Sequence, residues 1–158
     1  ILVTGSVAAP NGVVQVVSVN SVASVSGAIP GWVDGAFTAT ITPKYSNSKI
    51  LVALTLPNQY CTVGGSDLFI RLLRSGTDVL TAAAAYNSAR SGTSYFSNIL
   101  YLNGSARHSV IFTFLDSPAT TSAITYSYKM NMDVSGTYYN NYPTDRAIQN
   151  ITLTEIYS

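Results

Sequence analysis

The residues that could carry out acid–base or nucleophilic chemistry are few and far apart in this sequence. His108 is the single imidazole, and Ser105 and Ser109 are the hydroxyls nearest to it along the chain. No Gly-x-Ser-x-Gly nucleophile motif surrounds them, and a hydrolytic triad would also need a carboxylate that orients the imidazole. We therefore interpret His108 as a solvated or capping residue at the beginning of a strand, and predict that the protein is not an enzyme.

Paired carboxylates could hydrolyse a glycosidic bond if two of them lay on either side of it. Most acidic residues of this chain stand at turn signals, where Asp commonly bonds to nearby backbone amides. Asp34 precedes a glycine, and Asp116 precedes Ser117-Pro118. A catalytic pair stays an alternative only if distant turns converge. The acidic residues are Asp34, Asp67, Asp78, Asp116, Asp133, Asp145 and Glu155.

The motifs give no support for a metal or a cofactor. The sequence contains no Asp-x-Asp-x-Asp calcium loop. Cys61 is the single cysteine, so an intrachain disulfide and a cysteine-based zinc site are both excluded. We interpret Cys61 as a small buried hydrophobic residue, and predict neither a metal site nor a cofactor.

The charge of the chain is low and evenly spread. Charged residues make up 9% of the 158 positions, and the net charge is +1. Nucleic-acid binding is not expected, because the eight basic residues are scattered and phosphate neutralisation needs clustered cations. Membrane insertion is not expected either, since no apolar run approaches the ~20 residues of a membrane span. Little self-repulsion opposes association, so we expect tight oligomerisation.

Alternation of apolar and hydroxyl side chains is the dominant pattern, as in residues 37–42 and 124–128. This period of two is typical of half-buried strands. With short runs separated by Gly, Pro, Ser and Asn, it predicts an all-β fold, a β-sandwich or jelly roll of about eight to ten antiparallel strands. The predicted strands are Val13–Val22, Ala36–Thr42, Lys49–Leu56, Leu68–Arg74, Val79–Tyr86, Phe96–Leu102, Ser109–Leu115, Ala123–Met132, Thr137–Tyr139 and Ile148–Ile156.

The chain divides into an arm and a head. Residues 1–12 end in the turn signal Pro10-Asn11-Gly12, so we expect them to form an arm or linker that joins the domain to an upstream segment. The first residue is not Met, which suggests a piece of a longer chain. Residues 13–158 form the predicted sandwich, with Ile50, Val52 and Leu54 facing the core. In a second strand, Ile111 and Leu115 are expected to face it too.

An unusual segment, Tyr138-Tyr139-Asn140-Asn141-Tyr142, lies between Ser135-Gly136 and Pro143. Those breakers predict a loop turned out of the sheet. Tyr offers apolar area with a hydroxyl and few rotatable bonds, and Asn offers a donor and an acceptor. We predict that this loop binds a receptor, while packing against a neighbouring subunit stays open as an alternative.

Six short stretches of strand and turn sequence follow one another between Val13 and Ile156. They are Val14–Ser18, Thr40–Pro43, Ser48–Val52, Phe114–Pro118, Ile124–Tyr126 and Ile151–Ile156. Together they resemble a domain of tailed-phage virion proteins, of the marine and cyanobacterial type, found at tail-fibre ends or on the virion surface. The resemblance implies a trimeric β-sandwich head on the virion surface and transfers no catalytic residue. The chain departs from that pattern at Ala28–Trp32.

The leading hypothesis is therefore a tail-fibre head domain that binds a host-surface receptor, either a glycan or a protein. The alternative is a decoration or cement protein of the capsid, with the same fold and with its arm inserted between capsid subunits. A sugar-active enzyme is the third and least favoured class.

Overall fold

A computed structural model describes residues 12–29, 31–64, 66–79, 96–102, 107–132, 135–144 and 146–158. Every regular element within these ranges is a strand, and none is a helix that could cross a membrane. The strands are β1 (Val13–Ser21), β2 (Val25–Ile29), β3 (Val33–Asp34), β4 (Ala39–Ile41), β5 (Lys49–Cys61), β6 (Ser66–Arg74), β7 (Thr77–Asp78), β8 (Phe96–Leu102), β9 (His108–Asp116), β10 (Ile124–Met132), β11 (Gly136–Asn140) and β12 (Gln149–Ile156).

Two sheets face each other across the core. Four strands of the first sheet run in the order β1-β12-β5-β9, and four of the second run in the order β4-β10-β6-β8. This is the strand order of a jelly roll, and all pairs are antiparallel, so the predicted fold class is confirmed. β11 and β2 extend the first sheet along the far end of β5, while β3 and β7 are short additions to the second.

Most of the predicted strands exist within a few residues of their predicted ends. The sequence pattern missed β2 and β3, where Gly27 and Trp32 interrupt the alternation. The predicted strand Val79–Tyr86 falls almost wholly outside the described residues, and so does most of the arm, residues 1–11. The division into arm and head therefore stays a prediction.

β6 and β7 are joined by a tight turn, between the predicted strands Leu68–Arg74 and Val79–Tyr86. Ser75 and Gly76 both adopt positive φ, at 48° and 84°, and Arg74 pairs directly with Thr77. Two left-handed residues between paired strands make a turn whose twist matches the strands. The loop is thus two residues long rather than the predicted four.

The core consists of inward-facing aliphatic and aromatic side chains from both sheets. Ile50, Val52 and Leu54 are fully buried, as predicted. The prediction for β9 was wrong, because Ile111 is 70% exposed and Leu115 is 47% exposed. Apolar residues occupy both parities of this strand, so the pattern could not fix its register, and the other parity, Val110 with Phe112 and Phe114, packs on the core instead.

A β-bulge divides β5 into two halves. Leu56 pairs with Val110, but Gln59 pairs with His108, so β5 contains one extra residue at this point. Asn58 supplies it with φ of 61°, a left-handed conformation that Asn tolerates well. We predicted that the strand would end at Leu56; instead it continues through the bulge to Cys61 with its inward parity switched.

An ion pair reinforced by a tyrosine joins the two sheets. Asp116 at the end of β9 is buried and accepts hydrogen bonds at 2.9 Å from Arg74 of β6. It also accepts one at 2.6 Å from the hydroxyl of Tyr126 on β10. Burial raises the pKa of Tyr126, and the bond to Asp116 raises it further, so the phenol stays a donor. Asp116 thus has a structural role, as its place beside a turn suggested.

A second buried carboxylate, Glu155, lies on the other side of β5, where both it and Asp116 pair with Ile50. Glu155 of β12 accepts hydrogen bonds from the Gln15 side chain at 2.6 Å and from the backbone amide of Lys44 at 2.8 Å. The backbone amide of Tyr45 adds a third, at 3.3 Å. Burial alone would raise the pKa of Glu155, but these hydrogen bonds outweigh it and hold the pKa below its ordinary value. One side chain therefore ties β1, β12 and the β4–β5 loop together.

Truncating a core residue tests the register of β5. Ile50→Ala should lower the free energy of unfolding by ~2–5 kcal/mol, because it removes buried methylenes and leaves a cavity. Ile148→Ala, at a position that is 66% exposed, is the matched control and should change it by less than about 0.5 kcal/mol. Equal values in urea denaturation for the two variants would contradict the assigned inward face.

Acid stability tests the Glu155 anchor. A carboxyl with a lowered folded-state pKa contributes stability that is complete above its ordinary pKa of 4.5 and is lost as pH falls through the folded value. Thermal unfolding followed from pH 7 to pH 2 should therefore show Glu155→Gln destabilised at pH 7, with a shallower loss of stability below pH 4.5 than the parent. Parallel curves for the two proteins would show that Glu155 doesn't carry this dependence.

Candidate functional site

The structure splits the predicted receptor loop into buried and exposed parts. Residues 136–140 form strand β11, paired with β2 on one edge and β5 on the other, so the prediction of a loop turned out of the sheet was wrong. Tyr138, Asn140 and Asn141 are fully buried. Tyr139 and Tyr142 are partly exposed. Alternation along β11 explains the split, since neighbouring side chains of a strand point to opposite faces.

The inward residues of this segment form a polar network inside the core. The Tyr138 hydroxyl donates to Oε1 of Gln59, and Nδ2 of Asn140 donates to the same oxygen at 3.0 Å. The Tyr128 hydroxyl donates to Oδ1 of Asn140 at 3.3 Å. Burial raises the pKa of Tyr138 well above its usual range. These groups satisfy one another, as buried polar groups must, and leave Tyr138 and Asn140 with a structural role.

Asn141 also has a structural role. It adopts φ of 60°, accepts a hydrogen bond from the amide of Ala147 at 2.9 Å, and donates to the carbonyl of Ala147 at 2.9 Å. This side chain closes the loop that follows β11. Of the five residues predicted to bind a receptor, Tyr139 and Tyr142 are therefore the two that present side chains to solvent.

Tyr60 joins these two tyrosines from the neighbouring strand. It pairs across the sheet with Tyr139, and their ring centroids are 6.0 Å apart. Tyr142 lies 4.7 Å from Tyr60 and 5.2 Å from Tyr139, with interplanar angles of 62° and 77°. We call the three rings, Tyr60, Tyr139 and Tyr142, the tyrosine platform. The β5 bulge places Tyr60 there, because Tyr60 would face the core if the regular alternation of β5 before the bulge continued to it.

Backbone contacts hold the third ring in position. The amide of Tyr142 donates to the carbonyl of Asn58 at 3.0 Å, and Nδ2 of Asn58 lies 3.4 Å from the carbonyl of Tyr142. The guanidinium of Arg107 lies over the Tyr142 ring, 4.9 Å from its centroid. The platform is thus built from two segments, β5 and residues 139–142, which these contacts hold together.

The hydroxyl groups distinguish outward tyrosines from inward ones. Tyr126, Tyr128 and Tyr138 each donate to a buried acceptor in the core. Within the described part of the chain, no hydroxyl of the tyrosine platform bonds to another protein group. The platform therefore offers ring surface together with three hydroxyl groups that form no hydrogen bond within the described part of the protein.

Within the described ranges, the titratable residues do not gather into a metal site. Asp34 and Asp78 form ion pairs with Lys129 at 3.2 Å and Arg71 at 3.4 Å, on strands of the second sheet. Burial raises the pKa of Asp78, and Arg71 partly offsets this. His108 begins β9 opposite Gln59, at the beginning of a strand as predicted, but its Nε2 is buried rather than solvated. Among the described residues, no three His, Cys, Asp or Glu side chains come close enough to hold a metal ion.

Sequence reasoning missed Tyr60 and Arg107 as members of the site. Tyr60 follows Pro57-Asn58, which resembles a strand terminator rather than a bulge. Arg107 is distant in sequence from all three tyrosines. Cys61, in contrast, is a free and buried residue, as predicted from its isolation.

Solved structures of virus particles share this fold. The VP2 subviral particle of infectious bursal disease virus matches with a TM-score of 0.50 and 14% identity, over 91% of this chain and 38% of that one. The structure of the Gt strain of this virus matches with a TM-score of 0.47 and 15% identity, over 91% of this chain and 38% of that one. The T13 particle of this virus matches with a TM-score of 0.47 and 14% identity, over 91% of this chain and 36% of that one. The chain spans less than two fifths of those proteins, and at this identity the first match establishes the jelly-roll fold alone.

No protein-family model and no curated protein sequence matches the chain.

Truncation of adjacent tyrosines separates the two faces of β11. Tyr138→Ala should destabilise the protein by ~3–5 kcal/mol, because it removes a fully buried ring. Tyr139→Ala removes only ring contacts at the surface and should cost less than about 1.5 kcal/mol. Chemical denaturation of both variants checks this. A larger loss for Tyr139→Ala would reverse the assigned faces of the strand.

Proposed function

We propose that this chain is a structural domain of a virus particle, and specifically the head domain of a phage tail fibre that contacts a host-surface receptor through the tyrosine platform. The jelly roll shared with VP2 particle proteins supports the virion role, and the resemblance to tailed-phage surface domains supports the fibre. The proposed location is the virion surface.

The observation that carries the receptor role is the tyrosine platform itself. Aromatic side chains held rigid at a surface are typical of binding hot spots, since little conformational entropy is lost when they engage a partner. Buried inward tyrosines already stabilise the core, so the outward ones are not needed for it. Tyr60 and Tyr139 lie on strands, and the backbone of Tyr142, in the loop after β11, is hydrogen-bonded to Asn58.

A decoration or cement protein on the capsid is the second candidate, and a different surface favours it. The outer face of the first sheet carries no charge across four strands and three cross-strand rows. Ile111 and Leu115 make its β9 end apolar. The residues of this outer face are Val16, Ser18, Asn20, Leu51, Ala53, Thr55, Ile111, Thr113, Leu115, Asn150, Thr152 and Thr154.

The outer face also supplies a surface for the proposed homotrimer. Its hydroxyls and amides bond mainly to one another, as where Nδ2 of Asn150 donates to Oδ1 of Asn20 at 2.8 Å and the Thr152 hydroxyl donates to Oδ1 of Asn150 at 2.8 Å. These polar groups are therefore partly satisfied before any subunit docks. A second copy would bury apolar area here without desolvating an ion.

Adsorption of particles to host cells tests the proposed receptor role. Particles that carry Tyr139→Ser with Tyr142→Ser should adsorb to host cells at least tenfold more weakly, since each aromatic anchor typically contributes on the order of 1–3 kcal/mol. Tyr45→Ser, in the separate Tyr45–Tyr157 ring pair, is the matched control and should leave adsorption unchanged. If the platform variant adsorbs normally, the receptor lies elsewhere; if its trimer dissociates instead, the platform is a subunit interface.

Light scattering measures the assembly. The parent chain should be a trimer at micromolar concentration, and Ile111→Lys should yield a folded monomer, because it places a charge on the outer face. Thr121→Lys, in the exposed loop between β9 and β10, is the control and should remain trimeric. A monomeric parent would refute the homotrimer.

Gold-labelled antibody against the chain, imaged on intact particles, separates the two candidates. Label at fibre tips supports the fibre head, whereas label over the shell supports the decoration protein. The arm, residues 1–12, stays the predicted attachment to other virion proteins.

A further inference from the structure

The tyrosine platform matches one chemical class of ligand better than others. A ligand for it must lie against ring surface and, within a few ångströms, exchange hydrogen bonds with groups that remain available in the folded protein. The three outward hydroxyls are such groups, and the exposed Ser26 side chain lies beside Tyr139 as its partner on β2. Thr137 occupies the same face of β11, two residues from Tyr139.

We propose that the platform binds a carbohydrate, with a pyranose ring packed through its C–H face against Tyr60, Tyr139 or Tyr142 and its hydroxyls bonded to the tyrosine and serine hydroxyls. This inference rests on the proposed function, because it names the kind of receptor that the head domain contacts. Sugars combine an apolar face with a rim of hydroxyls, and the platform combines the same two features at one place.

Strand pairing argues against a peptide at this site. An extended peptide commonly binds by adding a strand to an unpaired sheet edge. β11 is paired on both edges, with β2 and with β5, and β5 is paired with β9 at Gln59, one residue from Tyr60. At Tyr139, β11 therefore has no free edge, so recognition at this strand depends on its side chains.

Two features give the site its rigidity. Tyr60 and Tyr139 are a cross-strand pair in the middle of a sheet, and Asn58 fixes the backbone of Tyr142. The position of Arg107 over the Tyr142 ring adds a planar group beside the site. Because rigid sites lose little entropy on binding, a single shallow platform can hold a sugar weakly, and three copies in a trimer would multiply that affinity through avidity.

The test uses the complete 158-residue chain, labelled with a fluorophore, on a printed array of defined oligosaccharides and bacterial surface polysaccharides. The parent should bind at least one sugar. With the strongest oligosaccharide in isothermal titration, Tyr60→Ser and Tyr139→Ser should each weaken binding at least tenfold, and Tyr45→Ser should not. Tyr60→Phe keeps the ring and should weaken binding by a smaller factor, about threefold, which isolates the hydroxyl.

Circular dichroism melts of each variant ensure that a lost signal reflects the site rather than unfolding. Binding to no sugar on the array, or equal binding by the parent and by folded Tyr60→Ser and Tyr139→Ser, would overturn the carbohydrate inference. If platform variants lose adsorption to cells while no sugar binds, the receptor role stands and the receptor is a protein. If sugar binding depends on the platform but adsorption does not, the receptor role fails and the sugar site remains.

Discussion

A single β-bulge in β5 determines which side chains face the core and which face outward in the two halves of that strand. β5 pairs with β9, β12 and β11, and the left-handed Asn58 inserts an extra residue into it. Before the bulge, Ile50, Val52 and Leu54 point into an apolar core. After it, the inward side chains include Gln59, which accepts hydrogen bonds from Tyr138 and Asn140, while Tyr60 turns outward. The bulge thereby creates both the buried polar network and the surface platform opposite it.

The charged residues of the described chain mainly hold the structure together. Asp116 joins the sheets through Arg74 and Tyr126, and Glu155 joins β1, β12 and the β4–β5 loop. Each is buried and accepts several hydrogen bonds, the arrangement under which a buried carboxylate is tolerated. With these groups committed to structure, the surfaces left for interaction are the uncharged outer face and the tyrosine platform. Such surfaces suit assembly and recognition more than chemistry.

The two surfaces lie on different parts of the first sheet. The outer face covers the half of β5 before the bulge, and the platform covers the half after it. The two surfaces therefore share no residue. The same strand carries the surface of the proposed assembly before the bulge and that of the proposed recognition after it.

The sequence by itself determined the class of fold, because hydroxyl and apolar residues alternate with the period of a strand and turn residues separate the runs. The sequence also indicated correctly that Ile50, in the alternation of Ile50, Val52 and Leu54, is buried, and that Cys61, a lone cysteine, is buried. Tertiary structure decided the face of β9, where both parities are apolar, so only packing could choose Phe112 over Ile111. Packing likewise decided that Tyr138 and Asn140 belong to the core, and that Tyr60 joins Tyr139 and Tyr142. Those contacts join residues about 80 positions apart, and they depend on a bulge whose local sequence resembles the end of a strand.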